Sequence, residues 1–154
     1  MIKAHHYSST LEWTGNLGTG TSQYKAYSRS HTIHCNGKPI IYGSSDPAFL
    51  GDASCYNPEE LLLASLSACH MLWYLHLCAD AAVQVLAYTD NAEATMQEDK
   101  EGGRFTQVRL YPSVQVAHHS MIETALQLHH AAHQKCFIAN SVNFPVNHLP
   151  KIWV

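Results

Sequence analysis

The spacing of apolar and polar positions along the chain changes period several times, and each change marks an element. Leu11 and Trp13 are the apolar positions of a first strand, which leads into the glycine-spaced turn Thr14-Gly-Asn-Leu-Gly-Thr-Gly20. Residues 22–28 then alternate, with tyrosines at 24 and 27, in the manner of a strand. The segments 31–35 and 38–42 flank Asn36-Gly37, a pair suited to the two positive-φ positions of a type I′ turn, so a β-hairpin is expected there. Across 43–56 the composition shifts to Gly, Ser, Asp and Pro, a loop long enough to lie over a site.

From position 57 the period becomes helical. Asn57 is placed to cap, Pro58 suits the first helical position, Glu59 and Glu60 face the positive end of the helix dipole, and Glu60 stands in capping-box position. The helix should run to about Asp80 and is apolar on nearly all sides, which places it at the centre of the molecule. Residues 83–97 and 104–118, separated by the turn signal Lys100-Glu-Gly-Gly103, read as two long antiparallel strands. Ser120 and Glu123 form a second capping-box pattern, opening a helix that ends near Lys135; residues 143–146 read as a last strand before Pro150. The whole describes a single α+β domain over 1–154.

Composition narrows the function classes. With 154 residues, 46% apolar and 14% charged, the chain can bury a sizeable core without staples. Nine Lys and Arg against 12 Asp and Glu give a formal charge of −3, which leaves no basic footprint for nucleic acid or an anionic membrane. The N-terminus lacks a long apolar run, and the apolar stretch from Leu61 is interrupted by Ser65, Ser67 and His70, so a cytosolic protein without a membrane span is expected. Five cysteines, an odd number with no Cys-x-x-Cys pair, argue for transient rather than structural disulfides. Cys35, Cys55 and Cys78 read as structural or incidental.

Two of the cysteines stand in unlike settings: Cys69 inside the apolar helix, in Ser67-Ala-Cys69-His70, and Cys136 at the end of Ala132-His-Gln-Lys-Cys136. Together with Asn57-Pro-Glu-Glu-Leu61 and the two-stranded excursion between the helices, these motifs resemble the OsmC/Ohr family of thiol-dependent peroxidases, in particular its OsmC-like branch. The resemblance implies an α+β dimer whose two subunits interleave, with antiparallel sheets wrapped around long central helices. It implies Cys69 as peroxidatic thiol, Cys136 as resolving thiol and Glu59 as the carboxylate of the active-site network. Organic hydroperoxides would be the substrates and a dithiol donor, in the family often a lipoyl group, the reductant; no further cofactor or metal is implied.

Burial raises a thiol's pKa, whereas the thiolate is the reactive form, so a cation should compensate. In the family it is an arginine held by the glutamate. The loop 43–56 holds neither Arg nor Lys, which leaves Arg29, with Arg104 and Arg109 behind it, as the candidate. Phe49 and Leu50 in that loop, and Trp73 one helical turn from Cys69, are the candidate contacts for an apolar substrate tail. Glu59 and Cys69 are ten positions apart, about 15 Å along one helix axis, so a Glu59 that serves Cys69 would come from a partner subunit. Two other readings compete. His129, His133 and Cys136 share a helical face that could ligate a metal, and His70 and His76 could join from the other helix, though no closed zinc motif is present. A non-catalytic module could instead bind a small apolar or thiol ligand at a dimer interface.

Overall fold

In the computed structural model, which describes residues 3–154, the chain is a mixed α+β fold with nine strands and two long helices among the described residues. Met1 and Ile2, which open the polar N-terminal stretch considered above, lie outside it. Two compact units divide the described residues, the first ending at Leu61 and the second spanning Leu62–Val154.

The first unit carries the antiparallel sheet β1 (Thr10–Trp13), β2 (His31–His34), β3 (Ile41–Gly43), in that order. The hairpin forms, with Ile33 opposite Ile41, but not through a type I′ turn. Gly37 alone has positive φ there, at 72°, and the Lys38 N–H closes a β-turn on the Cys35 carbonyl. Residues 22–28 are turns rather than a strand. They fold around Arg29, whose guanidinium bonds the carbonyls of Tyr27 at 2.6 Å and Tyr24 at 2.7 Å. In the loop 43–56, Pro47–Phe49 is a single 3-10 turn capped by Asp46, whose Oδ1 accepts the Ala48 N–H at 2.7 Å.

Helix α1 (Pro58–Asp80) begins with the expected reciprocal cap: Asn57 Oδ1 accepts the Glu60 N–H at 2.8 Å, and Glu60 Oε2 accepts the Asn57 N–H at 3.2 Å. Its fully buried residues, Leu66, His70, Tyr74 and Cys78, recur every four positions and draw one stripe along it. By length and composition alone α1 is apolar enough to cross a membrane, a test that the core helix of a folded domain also passes. Only 22% of its most apolar window is buried within the chain.

The two long strands expected after α1 are each broken in the middle, so the excursion builds two sheets. β4 (Val85–Asp90) pairs antiparallel with β7 (Pro112–Val116), and β5 (Glu93–Asp99) with β6 (Gly102–Leu110). Asp90 holds the corner: one carboxylate oxygen accepts the Tyr111 N–H at 2.6 Å and the other the Ser67 hydroxyl of α1. Helix α2 (Ile122–Lys135) starts after a 3-10 turn at His119–Met121, and no side chain caps it. Ser120 therefore lies inside that turn rather than at the cap, and Glu123 instead accepts from Gln127. The last strands fall later than expected, at β8 (Val146–His148) and β9 (Lys151–Trp153), either side of Pro150. They run parallel to β6 and β7 respectively, a pairing that hydropathy patterning does not reveal.

One core gathers Tyr74 and Cys78 with Val83, Val114, Val116, Ala125 and Ala132; a second joins Leu66 to Val108, Leu110 and Val146. The small Ala125 and Ala132 on α2, spaced around His129, leave room for aromatic rings from α1 and β8 to enter.

Candidate active site

Cys69 and Cys136 meet. Cys69 projects half-buried from the middle of α1, and Cys136 is the first residue past α2. Its N–H still bonds the His133 carbonyl, but its backbone is extended (φ −67°, ψ 108°), so the chain leaves the helix there. The Cys136 sulfur, 1% exposed, accepts the Ala139 N–H at 3.4 Å and lies close enough to the Cys69 side chain for the two thiols to perturb each other. Burial, then the Cys69 side chain, push the Cys136 thiol up to about 11, with the Ala139 N–H pulling weakly the other way. At neutral pH Cys136 therefore keeps its proton. All five cysteines are free.

Beside the pair is an aromatic wall. Trp73, one turn along α1 from Cys69, meets Phe137 edge-to-face with ring centroids 5.5 Å apart, and meets His76 likewise at 5.7 Å. Lys135, the residue before Cys136, holds its ammonium 5.5 Å from the Trp73 ring centroid. A shallow cavity of about 220 Å³ lies against Leu72, Trp73 and His76. Phe137 and Lys135 do not stand out in the sequence: the first is one apolar residue after a helix, the second an ordinary C-terminal cation.

Four imidazoles fill the space between α1, α2 and β8. His70 Nε2 and His129 Nδ1 are 3.0 Å apart in a buried hydrogen bond, with their rings stacked at 5.3 Å. His129 also stacks on Tyr74 at 3.8 Å. His148 lies 5.4 Å from the His70 ring and 5.4 Å from that of His133. Burial, reinforced by the neighbouring imidazoles, pushes His70 down to about 4 and His129 down to about 3; His148 is lowered by the same causes. His70 and His129 are thus neutral at physiological pH, and His148 is biased the same way. Among the described residues no three His, Cys, Asp or Glu side chains are arranged to hold a metal ion, so the shared face of His129, His133 and Cys136 does not become a ligand set. His129 and His133 were legible through their four-residue spacing; His148, on a three-residue strand, carried no signal.

The other sequence candidates are placed as follows. Cys69, Cys136 and Trp73 belong to the second unit and are brought together there. Glu59, in the first turn of α1, is ten residues and about 15 Å of helix rise from Cys69. Arg29, Phe49 and Leu50 belong to the first unit. Besides its two carbonyl bonds, the Arg29 guanidinium lies over the rings of Tyr24 at 4.4 Å and Tyr27 at 4.2 Å, a local engagement that involves no thiol. Leu50 is the left-handed residue ending the 3-10 turn, with φ 62°. Arg104 lines an open cavity at the β5–β6 turn, and Arg109 lines another, of about 440 Å³, with His133, Asn147 and His148.

Residues 51–148, a stretch that contains both cysteines and both helices, match the family described as OsmC-like protein. The chain belongs to the OsmC-like family. Its solved relatives include an OsmC-like protein of unknown function from Vibrio cholerae, 32% identical over 96% of this chain and 100% of that one, with a TM-score of 0.87. An OsmC-like protein from Mycoplasma pneumoniae shares the fold at 13% identity and a TM-score of 0.74, covering 99% and 100% of the two chains. So does an organic hydroperoxide resistance protein from Elizabethkingia anophelis, at 19% identity and 0.71, covering 99% and 98%. No curated protein matches the chain in sequence. The α+β OsmC-like architecture is as the motifs led one to expect.

Proposed function

We propose that this OsmC-like protein reduces organic hydroperoxides with Cys69 as the attacking and Cys136 as the resolving thiol. The observation that carries the reading is the direct meeting of two free cysteines from distant parts of the chain, one half-buried and one buried. The Cys69 thiolate attacks the outer peroxide oxygen; the O–O bond breaks, the alcohol leaves after taking a proton, and Cys69 becomes a sulfenic acid. Cys136 then loses its proton, its sulfur bonds to that of Cys69, and the sulfenic oxygen departs as water. An external dithiol returns two electrons and two protons to the disulfide. Trp73 and Phe137 form the apolar wall for the substrate's tail, and Lys135 supplies positive charge on the same side. Since Arg29 is held by its own turn, Lys135 is the better candidate for the activating cation.

A second copy of the chain is part of the reading. The apolar α1 leaves most of its surface uncovered, and Leu72, at 62% exposure, lies beside Trp73 on that face. A two-fold related α1 would cover it, and would be the source of any Glu59 acting on Cys69. Turnover of cumene hydroperoxide with a dithiol donor tests the activity. Wild type should consume it and Cys69→Ser should not; equal rates in the two proteins, or none in either, would leave the non-catalytic binding module as the better account.

A further inference from the structure

We propose that His70, His129, His133 and His148 form an acid-sensitive clamp that holds α2 against α1, making His70 and His129 positioning residues for the meeting of Cys136 with Cys69. The inference concerns control of the site described above and rests on that reading only for its consequence in catalysis.

The geometry has three parts. First, the clamp bridges the two elements that carry the sulfurs. His70 is the neighbour of Cys69 on α1, and His129 and His133 are seven and three residues before Cys136 on α2. The His70–His129 hydrogen bond and the stacking of His129 on Tyr74 are direct side-chain links between the helices, and they lie inside both buried stripes.

Second, the cluster holds no counter-charge. Tyr74 faces it from α1, His130 and His133 from α2, His148 from β8 and Arg109 from β6 across the cavity, while Tyr88 of β4 touches Tyr74. None of these is an acid that ionises near neutrality. Among the described residues the one contact within 4.0 Å between a histidine and a carboxylate is His76 with Asp80, outside the cluster. The nearest carboxylate in register with Arg109 is Glu93, its cross-strand partner on β5. A proton added to the cluster would therefore be a buried, unpaired charge.

Third, the neutral pair is already imperfectly satisfied. One imidazole donates to the other, and the outer nitrogens, His70 Nδ1 and His129 Nε2, are buried without a hydrogen-bond partner. Whichever tautomer forms, one orphan nitrogen is bare and is a site for the next proton. The cavity of about 440 Å³ lined by His133 and His148 brings solvent to the edge of the stack. Protonation there is relieved by separating α2 from α1, which carries Cys136 away from Cys69.

Labelling of Cys136 tests this without any hydroperoxide. In the Cys69→Ser protein, a pyridyl disulfide is added at pH 7 and pH 5, and modification of Cys136 and of the buried Cys78 is followed by mass spectrometry. Rates are divided by that of a small free thiol at the same pH. With His70 taking its proton near 4 when closed and near 6.5 when open, about twentyfold of the Cys136 protection should be lost between these pH values. Cys78 should remain the better protected at both. With His70→Leu and His129→Phe together, Cys136 protection should change less than twofold. The clamp is wrong if the double variant keeps the wild-type pH dependence. It is equally wrong if Cys136 and Cys78 label at one common rate at both pH values, the mark of global unfolding, and that comparison needs only wild-type histidines. A protein inactive on hydroperoxides but showing the twentyfold change retains the clamp and loses the peroxidase.

Discussion

At the scale of single residues, the two sulfurs differ because their surroundings differ. Cys136 is sealed behind the 3-10 turn at Ala139–Ser141 and keeps its proton; Cys69 stands half-open on α1 beside Trp73. The sequence pointed to both cysteines and to Trp73, because the motifs around them are local. For the cation it pointed to Arg29, whose guanidinium bonds the carbonyls of the tyrosines two and five positions back. The Trp73–Phe137 wall makes a quantitative demand. Trp73→Ala should remove contact equivalent to about two methylenes, roughly 1.6 kcal/mol, and so lower the preference for an alkyl hydroperoxide over hydrogen peroxide by roughly tenfold in kcat/KM. Steady-state kinetics with both oxidants would show it; an unchanged ratio would remove Trp73 from the substrate site.

At the scale of elements, what was legible followed from rules acting within a few residues. The Asn57–Glu60 box opens α1 as its spacing demands. The same reasoning misplaced the start of α2, because residues 119–121 make a 3-10 turn first and Ser120 falls inside it. The long strands after α1 broke at Asp90 because its carboxylate serves the Tyr111 N–H and Ser67, contacts 21 and 23 residues away that no local pattern encodes. The packing of α1 on α2 through neutral histidines sets the pH dependence of stability. Both values are lowered in the folded state, to about 4 and about 3 from 6.5, so the unfolded chain binds more protons between those limits. Stability from the pair is complete above pH 6.5 and is lost as pH falls toward 4. Urea unfolding should show a loss on the order of 4 kcal/mol between pH 7 and pH 5, about 2 from each histidine. A stability that is flat or rises over that range would mean the imidazoles are not buried together.

At the scale of the whole molecule, the family, the α+β class and the order of the helices could be read from sequence, since two motifs at the right separation identify them. The parallel pairing of β8 with β6 and of β9 with β7 could not, because strands of three residues carry too little pattern. The uncovered face of α1 is likewise a property of the folded chain: hydropathy alone placed the helix at the centre, yet only 22% of its most apolar window is buried within the chain. Sedimentation should find a dimer at micromolar concentration, and Leu72→Lys, which sets an ammonium in the proposed interface, should shift it to monomer while leaving the far-UV spectrum unchanged. A wild-type monomer would remove the partner subunit from the site.

The central claim is that Cys69 and Cys136 form a redox pair, and intact mass tests it most directly. One equivalent of an alkyl hydroperoxide, added to the fully reduced protein and followed by non-reducing mass spectrometry and peptide mapping, should give the loss of two hydrogens and a single cross-linked peptide joining Cys69 to Cys136. A mass gain of one or more oxygens on Cys69 with Cys136 still free, or no change at either sulfur, would contradict it.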